Sequence, residues 1–546
     1  MSHPTRFGSV LSESYPNHLL DVAPSRLVPR RRLMLLGVLL ITAFLPRVWM
    51  AIRSETICPD GTFYIELAQA LERGDMGVAL HEMHLNTYPV ILVIGHQLGL
   101  DWEFTGKWWG VLAATLVVWP LFNWVRRQFD DVVAITSCLI YAMHPKLIEW
   151  SGELIRDPTF WLLLALSLDW LWRAMVEVRL RWFLLAGASM TLAVLTRFEG
   201  LFLLFPLTMW GVVRWMALRE QRGRLALGAV ICTIAFPVLL IVVNLWLLRD
   251  DPHFEAFRSE PLDRVGQWLA SLGGSTAQAV PGMLPLAVPR IAMESLPLLF
   301  VNTMLRGLTP AFSLVFIVGY LAFRPTWDRR DHVPLALFAI AVAIGVWIHL
   351  WFAHQGSSRY ALSIVLISTR CAALGLLFVA RESAIAVGRH QWNRRLVRLI
   401  PLGVVLLFFG IGFVEAMHHH DDSRLARAEL GKWINQHYGS QAVVLCTDDM
   451  TYLIAYYHYG QARLVVTGTD PATLVAAIAR MQPRIVALSR DRLPAEAVTA
   501  VLMRRRQLHL SEPKWDKGYR PPKNMLVLTQ SRVEHQAEHH HKRLTE

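Results

Sequence analysis

Along most of its length the chain alternates long apolar runs with short polar breaks. The runs reach the roughly 17–25 residues that a helix needs to cross a bilayer. Residues 33–51, 105–125, 132–148, 158–175, 226–248, 297–322, 333–351, 361–379 and 399–416 each read as one span. The stretch 182–216 is apolar except for Arg197, Glu199 and Arg214, and basic loops flank it on both sides. Basic loops stay in the cytoplasm. The stretch is therefore expected to be a hairpin of two spans that turns at Thr196-Arg197-Phe198-Glu199-Gly200. The pattern thus predicts a multi-span α-helical membrane protein of about eleven transmembrane helices, with a cytoplasmic N-terminus. Every strongly basic loop then falls inside, and the C-terminus lies outside.

Shorter apolar stretches sit between the spans. Phe63–Leu71 puts Tyr64, Leu67, Ala68 and Leu71 on one helical face. Tyr88–Leu100 is apolar but too short to span, so it is expected to lie in or dip into the interface. Residues 421–530 change character, with short strand-like runs at Ala442–Cys446, Arg463–Val466, Ile485–Leu488 and Met525–Leu528. Leu425–His437 and Pro471–Met481 read as helices between them, so a small external α/β domain around a parallel sheet is expected. The domain plan is a polar, disordered cytoplasmic segment over residues 1–30 and a membrane body over 31–416 with external loops 52–104 and 249–296. An extracytoplasmic α/β domain follows over 417–530, and a polar tail over 531–546.

Composition agrees with this plan. The chain has 546 residues, of which 54% are hydrophobic, too apolar for a soluble protein. Its net charge of +12 lies largely in short loops, where orientation and contact with anionic lipid explain it better than nucleic-acid binding does. Cys58, Cys138, Cys232, Cys371 and Cys446 have neither zinc-site nor disulfide-framework spacing. No small-residue cleavage site follows the first apolar run, which reads as a retained span. His418–His420 and His539–His541 read as solvated residues. His81, His84 and His96 show no ligand spacing. Trp108, Trp109, Trp119 and Trp124 fit interfacial belts.

The topology collects a few polar groups on the external face. Arg30–Arg32 before the first span send it outward and deliver Asp60 to that face, with Tyr64 one turn on. The other groups are Glu153, Arg156 and Asp157, then Arg197 and Glu199, then Arg359 and Tyr360. Each has a plainer reading beside the chemical one. Asp60-Gly61 makes a turn, and Asp157 before Pro158 makes a helix N-cap. Arg197 and Arg359 serve as interfacial anchors for lipid phosphates. The chemical reading is that a carboxylate takes a proton from an acceptor hydroxyl while arginines hold a phosphate leaving group. Nucleotide sugars are not available outside a bacterial plasma membrane. A sugar donor there must ride on a lipid such as undecaprenyl phosphate, and the chain has no glycine-rich phosphate loop.

Five segments resemble the GT-C superfamily, in particular its dolichyl-phosphate-mannose–protein mannosyltransferase and aminoarabinose transferase branches. They are Pro59-Asp60-Gly61-Thr62-Phe63-Tyr64 running to Arg73-Gly74, Thr87-Tyr88-Pro89-Val90, and Gly152-Glu153-Leu154-Ile155-Arg156-Asp157-Pro158. The others are Leu195-Thr196-Arg197-Phe198-Glu199-Gly200-Leu201 and Ser358-Arg359-Tyr360. The family often has an Asp-Glu pair in the first loop, where this chain has Asp60-Gly61. The resemblance implies inverting transfer from a polyprenyl-phosphate sugar at the outer face of the plasma membrane, without a covalent sugar–enzyme intermediate. It makes Asp60 the base and Glu153 or Asp157 the second acid, which orients the acceptor or helps hold a divalent cation (Mg or Mn). Arg359 with Tyr360, and Arg197, become donor-phosphate groups, and Tyr64 and Glu199 contact substrate. The competing expectations are a transporter or flippase of lipid-linked sugars and a non-catalytic assembly subunit. Which sugar and which acceptor (protein, lipid or glycan) are used is not encoded in these residues.

Overall fold

A computed structural model describes residues 28–80, 86–235, 290–322, 333–353, 356–389, 394–417, 422–446, 451–460, 462–464, 471–490, 495–513 and 525–530, with 238, 242, 246, 493 and 515 singly. The chain divides into two compact units. The first comprises residues 1–53 and 66–419, and the second joins residues 54–65 to residues 420–546. Residues 1–27 of the expected N-terminal segment, most of the 249–296 loop, His81, His84 and both histidine clusters lie outside the described residues.

The first unit is helical. It contains α1 (Pro29–Arg53), α2 (Pro59–Arg73, whose first turns belong to the second unit), α3 (Thr87–Gln97), α4 (Trp102–Leu116) and α5 (Val118–Gln128). Then come α6 (Asp131–Met143), α7 (Pro145–Ser151), α8 (Asp157–Glu177), α9 (Leu180–Thr196), α10 (Leu204–Ala217) and α11 (Arg222–Val230). Beyond the long loop lie α12 (Arg290–Leu308), α13 (Pro310–Ala322), α14 (Val333–Ala353), α15 (Leu362–Gly388) and α16 (Arg394–Met417). Among the described residues seven helices are long and apolar enough to cross a membrane, or up to nine if each of two bent pairs counts as one span.

The differences from the expected eleven have local causes. The 132–148 span is broken between α6 and α7 by 57°, and the 297–322 span between α12 and α13 by 89°. Each second half opens on a proline, Pro145 or Pro310, which has no N–H for a continuous ladder. The expected hairpin over 182–216 is present, but its first arm, α9, has only 17 residues. The expected 226–248 span begins as α11, and most of its remainder lies outside the described residues.

A helix break leaves backbone carbonyls without partners. At the end of α6 they are met by Arg47, a fully buried arginine on α1. Its guanidinium donates to the carbonyls of Ala142 (3.1 Å) and Tyr141 (3.3 Å), and to Ala43 on its own helix (2.7 Å). The two breaks face each other, with His144 Nε2 3.4 Å from the carbonyl of Leu308, the last residue of α12. Farther along, α13 and α15 approach so closely that a Cβ on Gly319 would strike the Cys371 carbonyl, and one on Gly375 the Val315 carbonyl. A glycine on each of two facing helices lets their backbones approach closely, which is how membrane helices gain van der Waals contact.

Near the end of α5 three consecutive side chains tie it to three other helices. Arg126 faces Asp131 on α6 at 3.9 Å, Arg127 pairs with Asp169 on α8, and Gln128 accepts a 2.7 Å bond from Arg370 on α15. Arg173, one turn beyond Asp169, bonds its other oxygen at 3.1 Å. Arg370 is itself buried, with its guanidinium over Trp124.

The second unit holds α17 (Asp422–Tyr438), β1 (Val444–Cys446), α18 (Thr451–His458), β2 (Ala462–Leu464), α19 (Pro471–Met481), β3 (Ile485–Ser489), α20 (Ala495–Arg504), β4 (Leu510–Ser511) and β5 (Met525–Gln530). The four expected strands and both expected helices are there, with α18, α20 and β4 in addition. The sheet order is β2-β1-β3-β5-β4. The expectation of a parallel sheet is corrected. The β1–β2 and β1–β3 pairs are parallel, whereas β5 runs antiparallel to both β3 and β4. Parallel neighbours need a crossover helix, which α18 and α19 provide; β4 and β5 pair directly and so run opposite ways.

Asp169 is nearly inaccessible and engages two arginines, so its removal strands both. We expect Asp169→Leu to lower stability by about 3–5 kcal/mol, read as an earlier thermal transition of the detergent-solubilised protein. An unchanged transition would show that the cluster does not hold α5 and α8 together.

Candidate functional site

The site in the first unit is built where α8 begins. The segment Ser151–Arg156 crosses α4 at two glycines one turn apart. A Cβ on Gly106 would strike the Leu154 side chain, and one on Gly110 would sit 2.9 Å from the Ser151 carbonyl and 3.3 Å from that of Glu153. The segment is therefore pressed against the helix, and Ser151 to Ile155 are buried, Glu153 among them. Trp109 Nε1 donates to Thr159 Oγ1 at 2.8 Å and fixes the start of α8 against α4.

The hairpin turn expected at 196–200 brings Arg197 onto this same place. Gly200 packs so tightly on the end of α9 that a Cβ there would lie 2.6 Å from the Val194 nitrogen. Its N–H closes the turn onto the Arg197 carbonyl at 2.9 Å. Arg197 then projects between two carboxylates. Its Nη1 pairs with Asp157 Oδ1, and its Nε and Nη2 make a two-point contact with Glu199, the Nη2–Oε1 bond being 2.8 Å. Asp157 does not cap the helix with its side chain. It is the first helical residue, and its carboxylate is given to Arg197 instead.

Burial disfavours the guanidinium charge, but Asp157 and then Glu199 outweigh it. The Arg197 pKa is left above its ordinary value, so this group keeps its proton at any working pH.

Tyr360 stands beside this clamp in a 3₁₀ turn, Ser358–Ala361, that leads into α15. The guanidinium carbons of Arg197 and Arg359 lie 5.9 Å and 5.3 Å from its ring centre. Arg359 also lies 5.7 Å from the Trp150 ring, and Trp150 Nε1 donates to Ser358 Oγ at 3.1 Å. His349 on α14 meets the Tyr360 ring edge-on at 4.6 Å, and Phe160 lies 5.8 Å from Arg197. Two cations thus flank one phenol, within the roughly 6 Å at which ring and cation attract.

Five of the sequence candidates therefore share one neighbourhood: Asp157, Arg197, Glu199, Arg359 and Tyr360. Glu153 is buried four residues before Asp157. Asp60 and Tyr64 fall in the second unit, Asp60 half-buried in the first turn of α2 and Tyr64 buried one turn later. Gly110, Trp150, Phe160 and His349 were missed. The Gly106/Gly110 spacing on one face of α4 was the readable sign of a segment passing over it.

Among the described residues no group of three His, Cys, Asp or Glu side chains converges as a metal site requires, and the carboxylates of Asp157 and Glu199 are turned onto Arg197. His96 stacks on Trp102, and its Nδ1 lies 3.2 Å from the Leu100 carbonyl, which accepts from it, so His96 has a structural role.

Residues 87–242, which include α8 and the Arg197 turn, match the family model of dolichyl-phosphate-mannose-protein mannosyltransferase. No curated protein sequence matches the chain. Among solved structures it is similar to ArnT from Cupriavidus metallidurans in the apo state, with a TM-score of 0.55 at 15% identity, covering 92% of this chain and 98% of that one. The same protein bound to undecaprenyl phosphate gives a TM-score of 0.53 at 14% identity over the same shares. The archaeal oligosaccharyltransferase AglB from Archaeoglobus fulgidus, in complex with an inhibitory peptide and a dolichol-phosphate, gives 0.52 at 14% identity, covering 84% of this chain and 69% of that one. The fold is that of the GT-C glycosyltransferases. At these identities the likeness to the solved structures is one of fold, and it takes in 92% of this chain.

If the clamp serves only the fold, an apolar replacement of the whole pair restores everything. We expect Arg197→Ala to lower stability by about 3 kcal/mol, because Asp157 is left buried and unpaired. Arg197→Met with Asp157→Leu should recover the part of that stability lost at the buried Asp157, the more exposed Glu199 being left to solvent, while leaving the protein inactive. Thermal unfolding and sugar-transfer assays on the same preparations separate the two roles. Full activity in the double variant would reduce the clamp to a structural rivet.

Proposed function

We propose that this chain is a membrane glycosyltransferase. It moves a sugar from a polyprenyl-phosphate carrier to an acceptor hydroxyl or similar group at the outer face of the plasma membrane. The observation that carries the reading is the GT-C fold along 92% of the chain, shared with a protein solved with undecaprenyl phosphate bound.

The chemistry assigned to the residues is a single inverting displacement. Asp60 takes the proton of the acceptor hydroxyl as its oxygen attacks the anomeric carbon. The bond from that carbon to the carrier phosphate breaks, and the phosphate leaves with the electron pair. Arg359, seated between Tyr360 and Trp150, is the group we assign to the developing phosphate charge. Arg197 is spent on Asp157 and Glu199, so its part is to hold these two carboxylates and the edge of Tyr360 in place. This gives Arg197 a supporting role rather than direct phosphate contact. Glu153 and Asp157 remain the candidates for orienting the acceptor, and Tyr64 for contact with substrate.

A transporter of lipid-linked sugars is favoured by one observation, the two bent helix pairs that meet at His144 and Leu308, since broken helices are frequent at transport sites. Donor cleavage decides between the two. Membranes carrying the wild type or Asp60→Asn would be supplied with labelled polyprenyl-phosphate sugars. We expect the wild type to release sugar from the carrier and Asp60→Asn to do so about 10²–10⁴-fold more slowly. Donor that crosses the bilayer uncleaved with either protein would replace the enzyme by the transporter.

A further inference from the structure

The segment that bears Asp60 is part of the second unit, though residues 66–419 of the chain separate it from the rest of that unit. The contact that ties it there is specific. The Ile57 backbone N–H donates to the hydroxyl of Tyr457 on α18 at 3.4 Å. Ile57 and its neighbours Thr56 and Cys58 are buried.

The residues just beyond Ile57 set the start of α2. The Cys58 carbonyl accepts the Gly61 N–H at 2.9 Å, and Thr62 Oγ1 closes onto the Pro59 carbonyl at 2.8 Å. Asp60 lies inside this first turn, three residues beyond the anchored amide. A shift of Ile57 therefore moves the start of the helix and the carboxylate with it.

Tyr457 is itself held from several sides. Gly431 on α17 lets α18 come close, for a Cβ there would lie 3.1 Å from the Tyr457 Cβ and 2.8 Å from the Ile454 carbonyl. The Lys432 ammonium stands 5.1 Å from the centre of the Tyr457 ring. The next residue, His458, is fully buried, with Nε2 2.9 Å from the Gly439 carbonyl. These contacts leave the phenol few positions to adopt, and its hydroxyl is a defined acceptor.

We propose that the C-terminal α/β unit positions the general base: Tyr457, fixed by the packing of α18 on α17, holds the Ile57 amide and so sets where Asp60 stands. Tyr457 is a positioning residue, and it touches no reacting atom. The inference rests on the reading of Asp60 as the base. It gives the C-terminal unit a part in the chemistry that needs no acceptor contact.

The test is Tyr457→Phe, which keeps the ring, its packing and the Lys432 contact and removes only the acceptor oxygen. Hydrogen exchange coupled to mass spectrometry on the full-length protein reads the anchor directly, without any donor. Loss of one buried backbone hydrogen bond should speed exchange in peptides covering Ile57–Gly61 by about fivefold to tenfold. Peptides from α18 should be unchanged. Tyr452→Phe, an exposed tyrosine on the same helix, serves as the control and should alter nothing.

With the labelled donor, Tyr457→Phe should lower kcat by about tenfold and leave the donor KM as it is, with the thermal transition unmoved. In the double variant with Asp60→Asn it should cause no further loss. Unchanged exchange over Ile57–Gly61 overturns the proposal whatever the activity, and so does a lower kcat that comes with an equally lower thermal transition. Full activity in Asp60→Asn overturns the reading of the base instead, while the exchange result still reports on the anchor.

Discussion

Charge buried among packed helices is the constraint on which the helical body depends. A guanidinium or carboxylate away from water must be paired or must hold backbone groups that have no other partner. The helical body meets this demand repeatedly. Arg47 serves the open carbonyls of α6, Asp169 takes two arginines, Arg370 takes Gln128 and the face of Trp124, and Arg197 takes two carboxylates. On α8 the two acidic anchors, Asp157 and Asp169, are twelve residues apart, which is about 18 Å of helix. One charged cluster thus marks the start of the helix and the other lies well along it, with an apolar stretch between them.

Close backbone approach is the second means by which the body is held, and it explains how an irregular segment comes to be seated at the site. Gly106 and Gly110 admit the Ser151–Arg156 segment to the surface of α4, and Gly200 folds the hairpin turn onto α9. The clamp of Arg197 on Asp157 forms because these two irregular pieces are brought together by packing. Their charges then lock the arrangement. Neither piece carries a long-range hydrogen-bond ladder of its own, so a larger residue at any of these glycines would act on the site from a distance.

Much of this was legible from the pattern of apolar runs. Spans over 33–51, 105–125, 158–175, 333–351, 361–379 and 399–416 are long helices, because eighteen or more apolar residues leave a chain in lipid no other way to satisfy its backbone. The hairpin turn at 196–200 was legible for a different reason, since two basic flanks forced an even number of crossings. What hydropathy does not carry is bending: 132–148 and 297–322 look continuous by composition, yet each is broken before a proline. Pairing is equally invisible. Arg197 read as an interfacial cation as readily as a partner for Asp157, and nothing local to either residue shows that 40 positions of chain close into a salt bridge. The antiparallel edge of the sheet was missed because Met525–Leu528 reads as an apolar strand in either direction, and β4 is only two residues long.

The association of residues 54–65 with the C-terminal unit changes how the order of the chain is to be understood. In sequence the first loop belongs to the spans on either side of it, and its acid reads as a feature of the membrane body. In space that loop is shared out: its first part packs with an α/β unit made more than 350 residues later, and α2 carries the chain from one unit into the other. A C-terminal unit that contributed nothing but bulk would have no need of a buried backbone amide from the other end of the chain. The Tyr457 hydroxyl accepting from Ile57 is the kind of contact that makes the unit an integral part of the fold, and it ties the folding of the last 120 or so residues to the placement of Asp60.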